Sequence, residues 1–184
     1  MSTPWGIVTG IFVHKDFDHY AGNMAVLLTF ILIFVSVNLP FDGLEQQRRT
    51  TLFSWTVFVA AVTANLLWIL RFREAPEGAY GASGVVYAAM MMVTMFAPLN
   101  LHHHASGLSR AWKINDRSLL VHAVLGVANL VILLFLLSWI VSAPAEFLGV
   151  GTGANVLGHG AASLLVLPGP VIYAVWRLRF LGRI

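Results

Sequence analysis

Long apolar runs recur along this chain and leave no room for a separate polar domain. A helix needs about 20 apolar residues to cross roughly 30 Å of hydrocarbon. Five runs approach that length, at about 19–38, 52–70, 83–98, 118–142 and 155–177. Only 10% of the residues are charged, whereas soluble domains usually carry about 25%. The sequence therefore predicts an all-α polytopic membrane protein, with residues 1–184 forming a single domain of five transmembrane helices.

The third run is shorter than the others. From Ser83 to Pro98 it has 16 residues, which span roughly 24 Å as a helix. We expect this helix to begin below the membrane surface. The preceding segment 74–82, "EAPEGAYGA", would then enter the membrane as irregular backbone, which is tolerated where protein or a water-filled cavity satisfies its peptide groups. This predicts that Ser83 lies at the floor of such a cavity, at a helix N-terminus.

The basic residues predict an orientation in the membrane. Eight fall in connections or ends on one side: Arg48, Arg49, Arg110, Lys113, Arg117, Arg177, Arg179 and Arg183. The other side carries Lys15, Arg71 and Arg73. Since basic residues concentrate in cytoplasmic loops, we expect the N-terminus outside and the C-terminus in the cytoplasm of a multi-pass cell-membrane protein. The same scatter of basic residues argues against a nucleic-acid partner, and the absence of cysteine excludes a thiolate-bound metal.

Four polar side chains are predicted to meet at the outer level of the membrane. Ser83 stands between Gly81 and Gly84, glycines that allow a tight turn and a close approach of the backbone. His19 and Asn23 share one face of the first span because they are four residues apart. His159 lies near the outer end of the last span, where polar side chains are costly and usually functional.

Small residues predict which helices bring these side chains together. Small residues four positions apart occur in two spans: Ala154, Gly158 and Ala162 around the start of the fifth, and Gly84 and Ala88 in the third. Residues this small at every fourth position let two membrane helices pack closely. We therefore expect the two spans to touch and His159 to lie beside Ser83. Tyr87, one turn after Ser83, would then have its ring next to the imidazole and could orient it.

Each residue also has an ordinary structural interpretation. A membrane serine commonly bonds to its own backbone, and Tyr87 is by default an interface aromatic. His19 and Asn23 can simply begin an interfacial helix. Only in combination do they supply a serine nucleophile, a histidine base and donors to an oxyanion.

The combination resembles the rhomboid family of intramembrane serine proteases. The matching stretches are "HKDFDHYAGNM", then Gly81-Ala82-Ser83-Gly84 with Tyr87, then His159 in a last helix rich in small residues. The resemblance implies a rhomboid-like helical bundle in which Ser83 is the nucleophile and His159 the base. It assigns oxyanion stabilisation to His19 and Asn23, and it matches His14 to a further family histidine. It implies single-span membrane proteins as substrates within the lipid bilayer, with no cofactor or metal.

Three departures from the family pattern stand out. The family core begins with an additional helix, which this sequence lacks, so either the sequence is truncated or the protein is a five-helix variant. The sequence leaves open whether the missing helix is supplied by a partner, by a second copy, or is not needed. Ala162 occupies a position where family members usually have glycine. Pro168 and Pro170 are expected to kink the last span.

Two other functions stay open at this point. One is a non-catalytic rhomboid-like protein that binds membrane helices. The other is a small transporter with histidine proton relays, for which His122 inside the fourth span is the one unexplained candidate. The tract His102-His103-His104 is expected to be a solvated cytoplasmic loop, with adventitious metal binding as the less favoured interpretation.

Overall fold

The computed structural model of the protein describes residues 6–12, 16–71, 83–114, 117–148 and 154–180. His14, Gly81 and the predicted irregular segment 74–82 lie outside these ranges. The regular elements within them are α1 (Gly6–Thr9), a 3-10 turn (Gly10–Phe12), α2 (Phe17–Asn38), α3 (Gly43–Arg71), α4 (Ser83–Ile114), α5 (Ser118–Ser142), α6 (Pro144–Leu148), α7 (Ala154–Val166) and α8 (Pro168–Phe180).

Five helical segments are long and apolar enough to cross a membrane: α2, α3, α4, α5 and the α7–α8 pair over Val156–Arg177. The prediction of an all-helical bundle with five spans is confirmed. The boundaries of α2 and α5 agree closely with the apolar runs at 19–38 and 118–142. The other boundaries differ in ways that the tertiary contacts explain.

Helix α4 forms the centre of the bundle. It packs against α2, α3, α5 and α7, and Ala88, Ala89, Met92 and Phe96 on it are wholly buried. Alanine and methionine are strong helix formers, and the small alanines let neighbouring helices approach. Helix α5, by contrast, exposes most of its apolar side chains, as a helix at the lipid boundary would. Ser83, the first residue of α4, therefore lies on the most enclosed helix.

The third span does not end at Pro98, as the sequence predicted, but continues to Ile114. Pro98 is exposed and removes a single backbone donor, at a typical cost of about 3 kcal/mol. After it, Asn100, His104, Gly107 and Ala111 are buried. Their spacing of four, three and four residues places them on one helix face. Burial of that face against neighbouring helices outweighs the effect of the proline.

The histidine tract consequently lies in a helix, and the prediction of a solvated loop at 102–104 is wrong. His104 is 1% exposed, and its Nδ1 lies 3.3 Å from Nδ1 of His122 on α5. A Cβ atom placed on Gly107 would fall 2.5 Å from the His122 ring, so the glycine makes room for that ring. His122 therefore has a packing role between α4 and α5. Within the described part of the chain, no group of three or more His, Cys, Asp or Glu residues is arranged to hold a metal ion.

The remaining boundaries follow from capping and from proline. Helix α3 begins at Gly43, nine residues before the predicted run, because Asp42 accepts the backbone N–H of Glu45 at 2.9 Å and caps its first turn. The interruption predicted at Pro168 is present, since α7 ends at Val166 and α8 begins at Pro168. The connection after α5 contains the short helix α6.

Candidate active site

Ser83 is the first residue of α4 and is partly buried, at the helix N-terminus where the sequence predicted it. Tyr87 follows four residues later and projects from the same face. The helix therefore presents the candidate nucleophile and the aromatic ring toward the same neighbours. Gly84, between them, lies at the contact with α7.

The rings of Tyr87 and His159 are stacked, with their centroids 4.2 Å apart and their planes inclined by 9°. The ring centroid of Phe147 on α6 lies 5.1 Å from that of Tyr87, and Phe147 is 2% exposed. The imidazole of α7 is thus held flat against a side chain one turn from Ser83, and that side chain is itself supported by a buried ring. A near-parallel stack limits rotation of the imidazole, as a base that must be oriented requires.

Gly84 and Ala162 form the close contact between α4 and α7. A Cβ atom on Gly84 would lie 3.8 Å from the Cβ of Ala162, an ordinary van der Waals contact, and Ala162 is wholly buried. The side chain of Ala154 lies outside what the structure describes. Gly158 meets no other helix among the described residues, since a Cβ there would have none of their atoms within 4 Å. Residues four apart drift around a helix of 3.6 residues per turn, so the stripe turns away from the seam.

His19 and Asn23 interact with each other on α2. Nδ2 of Asn23 lies 3.1 Å from Nε2 of His19, so the amide donates to the imidazole and keeps its second hydrogen for another acceptor. Asp16 caps α2 by accepting the backbone N–H of His19 at 2.8 Å. The cap fixes the first turn of the helix and so fixes where His19 and Asn23 project. Asn23 is partly buried, whereas His19 is exposed.

The 3-10 turn contributes to a small apolar cluster near the His19–Asn23 pair of α2 and Ser83 of α4. Ile11 is 6% exposed and packs with Ala61, Met24 and Val85. Met24 directly follows Asn23, and Val85 lies two residues after Ser83. This small apolar cluster therefore lies beside the residues of α2 and α4 that carry the candidate site. Neither Ile11 nor Phe147 was predicted, because an apolar residue in a loop carries no local signal of what it will contact.

We expect the Tyr87–His159 stack to orient the base, which a pair of variants can test. Tyr87→Phe keeps the ring and should retain activity within a few fold. Tyr87→Ala removes the stack and should lower kcat by about 10–100-fold, since small misplacements of reacting groups have effects of this size. Cleavage of a membrane reporter by the two variants and the parent, with folding checked by circular dichroism, measures the difference. An equal loss of kcat in both variants would show that stacking of the Tyr87 ring on His159 does not orient the base.

Comparison with known proteins identifies a family for this chain. The family model described as Rhomboid domain matches residues 2–162. The match includes Ser83, Tyr87, His159 and the His19–Asn23 pair. No curated protein and no solved structure matches the chain.

Proposed function

Because this chain belongs to the rhomboid family, we propose that it is an intramembrane serine endopeptidase that acts through Ser83 and His159. The observation that carries the proposal is the stack of His159 on Tyr87, one turn from Ser83 on the same helix. It supports the proposal because the candidate base stacks on a ring that shares a helix face with the candidate nucleophile.

The proposed reaction proceeds in two stages. Ser83 Oγ attacks the carbonyl carbon of the substrate peptide bond while the His159 imidazole accepts its proton. The tetrahedral intermediate then collapses, and the imidazolium gives that proton to the departing amine. A water molecule, deprotonated by the same imidazole, attacks the acyl-enzyme and releases Ser83. The chemistry requires no cofactor.

The oxyanion formed in each stage needs donors placed in advance. We assign this role to the free hydrogen of the Asn23 amide, to His19 and to the backbone N–H of Ser83. The hydrogen bond between Asn23 and His19 supports the assignment because it keeps the amide from rotating. The N-terminus of α4 adds favourable interaction with negative charge.

The proposed substrates are single-span membrane proteins with small or helix-breaking residues near the outer end of the span. A peptide bond within a regular helix is shielded by its own side chains and hydrogen bonds, so local unwinding has to precede attack. The proposed orientation has the N-terminus outside, because the basic residues concentrate at the end of the bundle opposite Ser83. Cleavage is then expected in the outer part of the substrate span.

Reconstitution with a single-span reporter tests this function. The reporter carries a helix-breaking pair near one end of its span, and a matched reporter carries the same pair near the other end. We expect the purified protein to cut only the reporter with the pair in its outer part, at a site mapped by mass spectrometry. Cleavage at the cytoplasmic end would overturn the orientation. Binding of both reporters without any cleavage would favour a non-catalytic rhomboid-like protein.

A further inference from the structure

A pocket of about 330 Å³ lies at the end of the bundle remote from Ser83. It is enclosed by the turn between α2 and α3, the first turns of α3, the middle of α4 and the last turn of α8. The lining side chains that carry the argument are Phe41, Asp42, Glu45, Arg48 and Arg177. None of them belongs to the candidate active site, and the proposed protease reaction gives the pocket no role.

A buried arginine contacts two of the pocket-lining residues, Phe41 and Glu45. Arg49 is 0% exposed, and its guanidinium lies 3.7 Å from the centre of the Phe41 ring. Its Nε donates to Glu45 Oε1 at 2.9 Å and to Tyr173 Oη at 3.1 Å. Its Nη1 donates to oxygens of two asparagines, Asn38 at 2.9 Å and Asn100 at 2.6 Å. Helices α2, α3, α4 and α8 are thus joined through one guanidinium group.

Donors outnumber acceptors in this network. Nη2 of Arg49 is buried and has no hydrogen-bond partner, and the same is true of Nδ2 of Asn100. The Asn100 amide cannot be turned round to correct this, because arginine only donates and needs the Asn100 oxygen facing it. Buried donors without partners are unfavourable. Neither residue lines the pocket, so the Arg49 guanidinium favours an anion there through its charge and makes no direct contact with it.

The charges around the pocket also favour an anionic ligand. The two carboxylates are already engaged: Asp42 caps α3, and Glu45 is shared between Arg49 at 2.9 Å and Arg177 at 3.3 Å. Three guanidinium groups, those of Arg48, Arg49 and Arg177, thus face two carboxylates. The guanidinium carbon of Arg48 lies 5.4 Å from the centre of the Trp176 ring. Arg48 has no carboxylate partner among the described residues. The region carries one uncompensated positive charge.

From these observations we infer that the pocket binds the phosphate group of an anionic phospholipid, held by Arg48 and Arg177. A phosphate offers only acceptors, and the planar guanidinium group matches its geometry. The pocket lies where the apolar helices end, which is the level of lipid headgroups, and basic pockets between membrane helices are suited to them. Leu44 and Trp176 expose apolar surface beside it, where an acyl chain can lie. This favours a lipid over a free anion.

Native mass spectrometry of the purified protein with phosphatidylglycerol or phosphatidylcholine tests the inference. We expect phosphatidylglycerol to bind in preference, and Arg48→Gln to weaken its binding about fivefold. The double variant with Arg177→Gln should weaken it further. Arg110→Gln is the matched control, because Arg110 is exposed at the same end of the bundle but does not line the pocket. It should bind phosphatidylglycerol as the parent does.

Three results would overturn the inference. One is unchanged phosphatidylglycerol binding in Arg48→Gln. Another is equal weakening in Arg110→Gln, which would indicate a general effect of surface charge. The third is displacement of the lipid by inorganic phosphate at an equal concentration, which would show that a free anion is the ligand. Protease activity is not measured, so the outcome does not depend on the proposed reaction.

Discussion

Replacement of Ser83 by alanine is expected to abolish peptide-bond cleavage, with kcat lowered by roughly 10⁶-fold, the size of effect seen when a serine nucleophile is removed. The physical reason is that alanine has no hydroxyl to attack the substrate carbonyl carbon beside the Tyr87–His159 stack. His159→Ala should have a similar effect. The double variant should be no worse than either single variant, since the two groups act in one step. Turnover of a single-span reporter in liposomes measures all three.

Matched variants separate loss of chemistry from loss of structure. Ser138→Ala removes an exposed hydroxyl on α5 that bonds to the carbonyl of Phe135 at 2.8 Å. His102→Ala removes an exposed histidine on α4. Both should keep the turnover of the parent protein. Residual activity of Ser83→Ala at more than a few per cent of the parent would contradict the assignment of the nucleophile.

The second large effect is expected at Asn23. Loss of one oxyanion donor typically lowers kcat by about 10²–10³-fold, so Asn23→Ala should do so with KM nearly unchanged. His19→Ala should act in the same direction, because it removes both a candidate donor and the partner that holds the Asn23 amide at 3.1 Å. Reporter turnover measured over a range of substrate concentrations separates kcat from KM.

Thr29→Ala is the control on the same helix, since the Thr29 hydroxyl bonds only to the carbonyl of Ala25 at 2.9 Å. It should retain parental turnover. If Asn23→Ala and His19→Ala also retain it, the pair serves only to begin α2. A rise in KM without a fall in kcat would instead indicate a role in substrate binding.

The helical class, the five spans and the contact between α4 and α7 could be predicted from the sequence, because each has a local signal. Apolar runs of sufficient length identify the spans, and Gly84 with Ala162 identifies the close contact. The start of α4 at Ser83 likewise follows from the glycines before it. These features depend on residue type and spacing, which are visible before the chain folds.

Other features depend on contacts between distant parts of the chain. Pro98 gave a local signal for a helix end, but burial of Asn100 and His104 carries the helix past it. Arg49 was predicted to lie in a short basic connection, yet Glu45, Tyr173 and the two asparagines bury it completely. Gly158 matches the small-residue spacing, but among the described residues no helix lies against it. Sequence spacing gives candidates for contact, and the packing of the whole bundle decides among them.

The most direct test of the account is covalent labelling with a fluorophosphonate, which reacts with an activated serine hydroxyl. The purified protein in detergent is incubated with the reagent and digested, and the modified residue is located by mass spectrometry. We expect a single adduct on Ser83 that forms far more slowly in His159→Ala and not at all in Ser83→Ala. Labelling of Ser83→Ala to the same extent as the parent, or an adduct confined to another serine, would contradict the claim that Ser83 is the nucleophile.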